Sequence, residues 1–122
     1  MSEATLYERL GGEDKIRAIV NDVVINHHNN PAIKARYDNA KKSDAELVDL
    51  VVDFIGAGTG GPLEYKGMDM REAHTGMNVS ETEFVAVLDD ILAALDKHNV
   101  GDRERAELLA ISYSLKGDIV HI

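Results

Sequence analysis

The chain contains no cysteine, and that one absence removes several function classes. Disulfides, thiolate zinc sites, iron–sulfur clusters and cofactor attachment through C-x-x-C-H all require thiols. A reducing compartment is compatible with the composition. Positive charge is scarce as well: 13 lysines and arginines face 22 aspartates and glutamates, a formal net charge of −9. Nonspecific binding to nucleic acid or anionic membrane draws on counterion release at a basic face, so neither partner is expected. No apolar run approaches the ~20 residues of a membrane span. The opening MSEATLYERL carries acids and no apolar core, so it does not read as a signal peptide. The expectation is a soluble cytoplasmic protein. At 122 residues it should be one domain, 1–122, that buries about two thirds of its unfolded surface.

What is present is helical periodicity. Leu6 and Leu10 suit one short helix that Gly11 and Gly12 stop. Ile16, Ile19, Val20, Val23 and Val24 recur at the spacing of a helix with one buried stripe, and Asn30-Pro31 ends it. A turn carrying Ile33 and Tyr37 follows. Ser43-Asp44-Ala45-Glu46 has the capping-box form and opens a helix with Leu47, Leu50, Val51, Phe54 and Ile55 inward. Four glycines in residues 56–61 are expected to break it, at about 1 kcal/mol each in a helix interior relative to alanine. Ser80-Glu81-Thr82-Glu83 is a second capping box, ahead of Phe84, Val87, Leu88, Ile91, Leu92 and Leu95. Gly101 interrupts that pattern, and Asp102 is positioned to cap a last helix with Leu108, Ile111, Ser112, Leu115 and Ile119 inward. The organisation is two helix pairs on either side of a glycine-rich stretch, residues 60–77.

That central stretch, GGPLEYKGMDMREAHTGM, has loop character except at 70–74, long enough for one helical turn that ends on His74. Four other histidines carry less. His98 and His121 lie at helix or chain ends. His27 and His28 are adjacent, so on a helix they diverge by ~100° and do not share a metal. No H-x-x-x-H or H-E-x-x-H pattern supports a zinc enzyme. His74 has two readings: a helix-end imidazole bonded to a carbonyl, or the single axial ligand of a flat cofactor held between the helix pairs. The apolar stripes likewise read as plain core or as the lining of such a slot.

YERLGG at 7–12, GGP at 60–62 and YKGMDMREAH at 65–74 resemble the group I truncated haemoglobins, and the similarity is collinear over essentially the whole chain. The resemblance implies an all-α, two-over-two helical sandwich, a shortened globin, that holds haem b non-covalently. It places His74 as the proximal iron ligand. It also places Tyr37 where the family carries a phenylalanine stacked on the haem, and Phe54, Phe84 and Val87 at haem contacts. Tyr65 and Met70, within the matching motif, join the expected cofactor-binding set.

The departures lie on the distal side. Where the family often has a tyrosine that hydrogen-bonds the bound gas, this chain has Val24. A common glutamine position aligns with Val51 and a neighbouring pocket position with Leu47. Three readings follow: an apolar gas pocket; a donor from His27, His28, Tyr37 or Lys42; or one of these as an internal sixth ligand.

The leading function is reversible binding of oxygen, carbon monoxide or nitric oxide at a pentacoordinate or weakly hexacoordinate iron. The alternatives are nitric oxide dioxygenation, with a reductase as partner, a gas or redox sensor, and a small helical interaction module without cofactor. The stripes are needed internally, so a monomer is expected.

Overall fold

A computed structural model describes residues 4–122; residues 1–3, which begin the stretch read against a signal peptide, lie outside the described residues. Eight helices follow in order: α1 Leu6–Arg9, α2 Glu13–Asn29, α3 Lys34–Asp38, α4 Asp44–Gly58, α5 Met70–His74, α6 Glu81–Lys97, α7 Asp102–Ser114 and α8 Lys116–Ile119. Among the described residues there is no strand, only an isolated parallel bridge between Val79 and Val120. No described helix is long and apolar enough to cross a membrane.

α2 is the central helix because its apolar residues form two rows. Ile16, Val20 and Val24 recur every four residues and pack with Val48 and Val52 of α4 and with Leu6 and Leu10. Ile19 and Val23, one row over, pack with Ala94, Leu95 and Leu108 of α6 and α7. α2 therefore touches α4 on one side and α6 on the other, and α6 in turn packs on α7, giving the two-over-two sandwich. Full burial of each such aliphatic side chain contributes roughly 1.5–3 kcal/mol.

Both capping boxes form. Ser43 accepts from the Glu46 N–H at 3.2 Å and Ser80 from the Glu83 N–H at 3.1 Å. Two expectations are corrected. The last helix is not continuous, since the chain breaks at Leu115 into α7 and α8. Its cap is Gly101, with no side-chain bond, and Asp102 is its first residue. α4 does stop within the glycine cluster, at Gly58, but Gly56 lies inside it.

The reason at Gly56 is close packing. A Cβ there would lie 2.4 Å from the Leu63 Cδ1, so the returning loop fits only over a bare backbone. Gly61 is tighter still, because a Cβ would lie 2.4–2.7 Å from three ring carbons of Tyr7. The Tyr7 N–H also donates to the Thr59 carbonyl at 3.0 Å. The YERLGG and GGP segments thus pack directly on each other. Gly61→Ala is expected to cost about 1–3 kcal/mol through displacement of the Tyr7 ring, which urea denaturation would measure; a change within ~0.5 kcal/mol, as for an ordinary surface position, contradicts the packing.

Candidate functional site

α5 starts at Asp69, whose side chain accepts from the Glu72 N–H at 2.8 Å. It ends at His74, whose Nδ1 is 2.7 Å from the Met70 carbonyl oxygen. A carbonyl only accepts, so Nδ1 carries the hydrogen and Nε2 carries the lone pair. The two sequence readings of His74 are therefore compatible. The carbonyl bond uses one nitrogen and orients the other as a ligand, the usual second partner of a metal-binding imidazole.

Tyr65 ties the loop before α5 to α4. Its hydroxyl donates to the Met68 carbonyl at 2.6 Å, and its ring meets Phe54 edge to face at 5.1 Å. The face of α4 that bears Phe54 is not the one packed on α2. Val48 and Val52 make that contact. Leu47 and Phe54 are half-buried, and Val51 is 36% exposed. The expected inward stripe of α4 is thus displaced by one residue, which leaves a second apolar row accessible. Further along the chain Met70 and His74 are half-buried, and Met68 is 54% exposed. A cavity of about 240 Å³ opens between Phe54 and Ile55 of α4, Leu108 and Ile111 of α7, and Leu115 just after α7. Among the described residues no group of three or more His, Asp or Glu side chains could hold a bare metal ion. A single imidazole ligand in a fold that keeps apolar side chains accessible suits a cofactor that brings its own equatorial ligands.

Other expected site residues lie apart from this face. Val24, 6% exposed, is packed among Val20, Val48 and Val52. Phe84 is buried with Val79 and Leu88, with Tyr113 edge-on at 6.4 Å. Val87 is half-buried on α6.

The adjacent histidines diverge as a helix requires. His27 continues the row of Ile19 and Val23 towards α6, where its Nδ1 donates to Asp90 Oδ2 at 2.7 Å. It stacks on Tyr37 at 4.5 Å. Burial holds its pKa below the ordinary value against the pull of Asp90. Burial, then the Asp90 charge, pushes the Tyr37 phenol up to about 12. Asn30 Nδ2 donates to both Asp90 oxygens, at 3.1 and 3.3 Å. This group was missed in the sequence. Its signal is a carboxylate in the row Ala86, Asp90 and Ala94, all three of which are buried. His98, read as a helix-end residue, meets Asp22 at 2.6 Å.

His28 continues the row of Val20 and Val24. Its Nδ1 is 2.6 Å from Asp38 and its Nε2 2.9 Å from Asp44. Carboxylates accept from both nitrogens, so the ring is an imidazolium, with its pKa raised by Asp44 and then Asp38. Lys42 is exposed in the turn before α4. A raised histidine pKa contributes stability that is complete below the unfolded value of about 6.5 and lost as pH rises through the folded value. The stability difference between wild type and His28→Ala should therefore be largest near pH 6 and shrink towards alkaline pH. Urea melts across that range test it, and a difference that grows with pH contradicts the clamp.

The sequence matches the Bacterial-like globin family over residues 5–121. The chain belongs to that family. Within it, the chain is 33% identical over 98 residues to a group 1 truncated hemoglobin of Tetrahymena pyriformis, covering 80% of this chain and 79% of that protein. The crystal structure of the Fe(III) form of the T. pyriformis protein superposes with a TM-score of 0.91 at 28% identity, over 98% of this chain and all of that one. A group II truncated hemoglobin from Bacillus anthracis gives 0.88 at 20% identity, over 99% of this chain and 94% of that chain, a likeness of fold. The globin is thus a group I truncated haemoglobin in sequence and a two-over-two sandwich in structure.

Proposed function

We propose that this globin holds haem b through His74 and binds a diatomic gas reversibly. The observation that carries the reading is the Nδ1–H bond from His74 to the Met70 carbonyl, which leaves the Nε2 lone pair for a ligand role in a chain whose α4 keeps a second apolar row accessible. Haem would supply an iron able to bind oxygen, carbon monoxide or nitric oxide. His74 would hold the iron from one side. Leu47, Val51, Phe54, Tyr65 and Met70 would enclose the macrocycle and keep water from it.

The polar groups near α2 favour an apolar gas pocket. Val24 and Val51 offer no donor. Both nitrogens of His28 are committed to carboxylates, and His27 is committed to Asp90. A hydrogen bond to a charged acceptor contributes ~1.5–3 kcal/mol, so oxygen should leave roughly ten- to a hundredfold faster than from a tyrosine-bearing relative. A second reading, with Tyr37 as donor, is favoured by one observation: its hydroxyl has no hydrogen-bond partner among the described residues. A phenol with pKa near 12 would stay protonated for that role. Nitric oxide dioxygenation asks for a stabilised gas complex, which the apolar residues support less well.

Haemin titration of the apo-protein tests the proposal. Binding should saturate at one equivalent and raise the melting temperature by mass action, about 2.7 kcal/mol at a hundredfold excess over Kd. A melting temperature indifferent to haemin overturns it in favour of a helical module without cofactor.

A further inference from the structure

α5 is too short to fix its own direction. Its five residues make little more than one turn, and an isolated helix of that length is unstable in water. Its orientation is set by what flanks it. After α5 the chain reaches Asn78 at φ 48°, and after α8 it reaches His121 at φ 59°, both left-handed and neither a glycine. The two lie side by side at the Val79–Val120 bridge. The Asn78 N–H donates to the Ile122 carbonyl at 3.0 Å, and the His121 N–H donates to the Val79 carbonyl at 2.9 Å. His121 Nδ1 lies 3.3 Å from Asn78 Oδ1, so the side chains join as well.

Val79 is buried with Phe84 and Leu88, and Ile119 and Val120 pack against that cluster. α5 packs on α8, with Arg71 and Asp118 paired at 3.6 Å. The Met77 N–H donates to the His74 carbonyl at 3.0 Å, so the constraint at Asn78 reaches the backbone of His74 within four residues. Asparagine adopts the left-handed region readily, whereas at the ring-bearing His121 it costs free energy and persists where the surroundings over-determine it. The three hydrogen bonds that close over His121 and Asn78 mark a junction that is held rather than left slack.

We infer that residues 116–122 form a clasp that positions the proximal turn, with His121 and Asn78 as positioning residues that set how the His74 ring meets its iron. The inference rests on the reading of His74 as the ligand. Groups one step behind a metal ligand typically change metal affinity by 10- to 100-fold when removed. A purely structural role would alter melting and leave the iron–histidine bond as it was.

The test is resonance Raman spectroscopy of the full chain, loaded with haem and reduced without gas, together with haem transfer to excess apomyoglobin. His121→Pro removes the N–H that Val79 accepts and cannot take φ 59°. It should shift or split the iron–histidine stretch and speed haem transfer about tenfold or more, with helix content by circular dichroism unchanged. His121→Asn tolerates the left-handed region and keeps a donor for Asn78, so it should restore both towards wild type. If His121→Pro does not fold, Asn78→Ala decides by the same two readouts. An unshifted stretch with unchanged transfer in the folded variant overturns the clasp and leaves His74 as ligand. A wild-type protein with no iron–histidine band overturns the ligand reading and the clasp together.

Discussion

Replacing Asp90 with alanine is expected to destabilise the protein by about 2–4 kcal/mol, because a buried donor and a half-buried one lose their acceptor at once. Asp90 is 9% exposed and His27 4%, so water cannot replace the lost bonds at little cost. The donors are His27 Nδ1 at 2.7 Å and Asn30 Nδ2 at 3.1 Å. The comparison that isolates the cause is the double variant His27→Phe with Asp90→Leu, in which neither of these two groups remains polar. Removal of both partners of a buried pair is often near neutral, whereas removal of one is not. The double variant should therefore recover a large part of the loss, although Asn30 still lacks its acceptor. Urea denaturation of the three proteins checks this. An Asp90→Ala protein within ~0.5 kcal/mol of wild type would mean that the network contributes no more than an ordinary surface position.

That network also shows where the sequence stops being informative. Partners 63 residues apart meet through the α2–α6 packing, and no local pattern announces the pairing. Local signals were sufficient where local chemistry decides. Both capping boxes, the span of α2 and the single turn ending at His74 are written in adjacent residues. α4 was legible as a helix but not in its orientation. LVDLVVDFI is apolar at seven of nine positions, so periodicity does not say which row packs on α2. The structure gives that contact to Val48 and Val52 and leaves Val51 exposed and Phe54 half-buried. The glycines at 56 and 58 were read as breakers, yet Gly56 serves the approach of Leu63 from inside the helix. The break at Leu115 comes before the nearest glycine, at 117, and follows from the turn that brings α8 onto α5. The site itself was visible as one imidazole in a recognisable motif. The bond from its Nδ1 to the Met70 carbonyl, which would suit it to ligate through Nε2, needed coordinates.

The second large effect concerns that imidazole. His74→Gly removes the only ligand proposed for iron and leaves a gap of about the size of an imidazole ring. The variant should still fold, because His74 is half-buried and belongs to none of the three core clusters. It should bind haemin more weakly by at least the 10- to 100-fold typical of disturbing a metal site one step further out. Free imidazole should enter the gap and ligate the iron in place of the side chain, a rescue that general destabilisation would not permit.

The direct measurement is the ferrous absorption spectrum of the haem-loaded protein without added gas, in wild type, in His74→Gly and in His74→Gly with imidazole. The account predicts a histidine-ligated spectrum in the first, its loss in the second and its return in the third. An unchanged histidine-ligated spectrum in His74→Gly without imidazole would contradict it, since some other residue would then hold the iron.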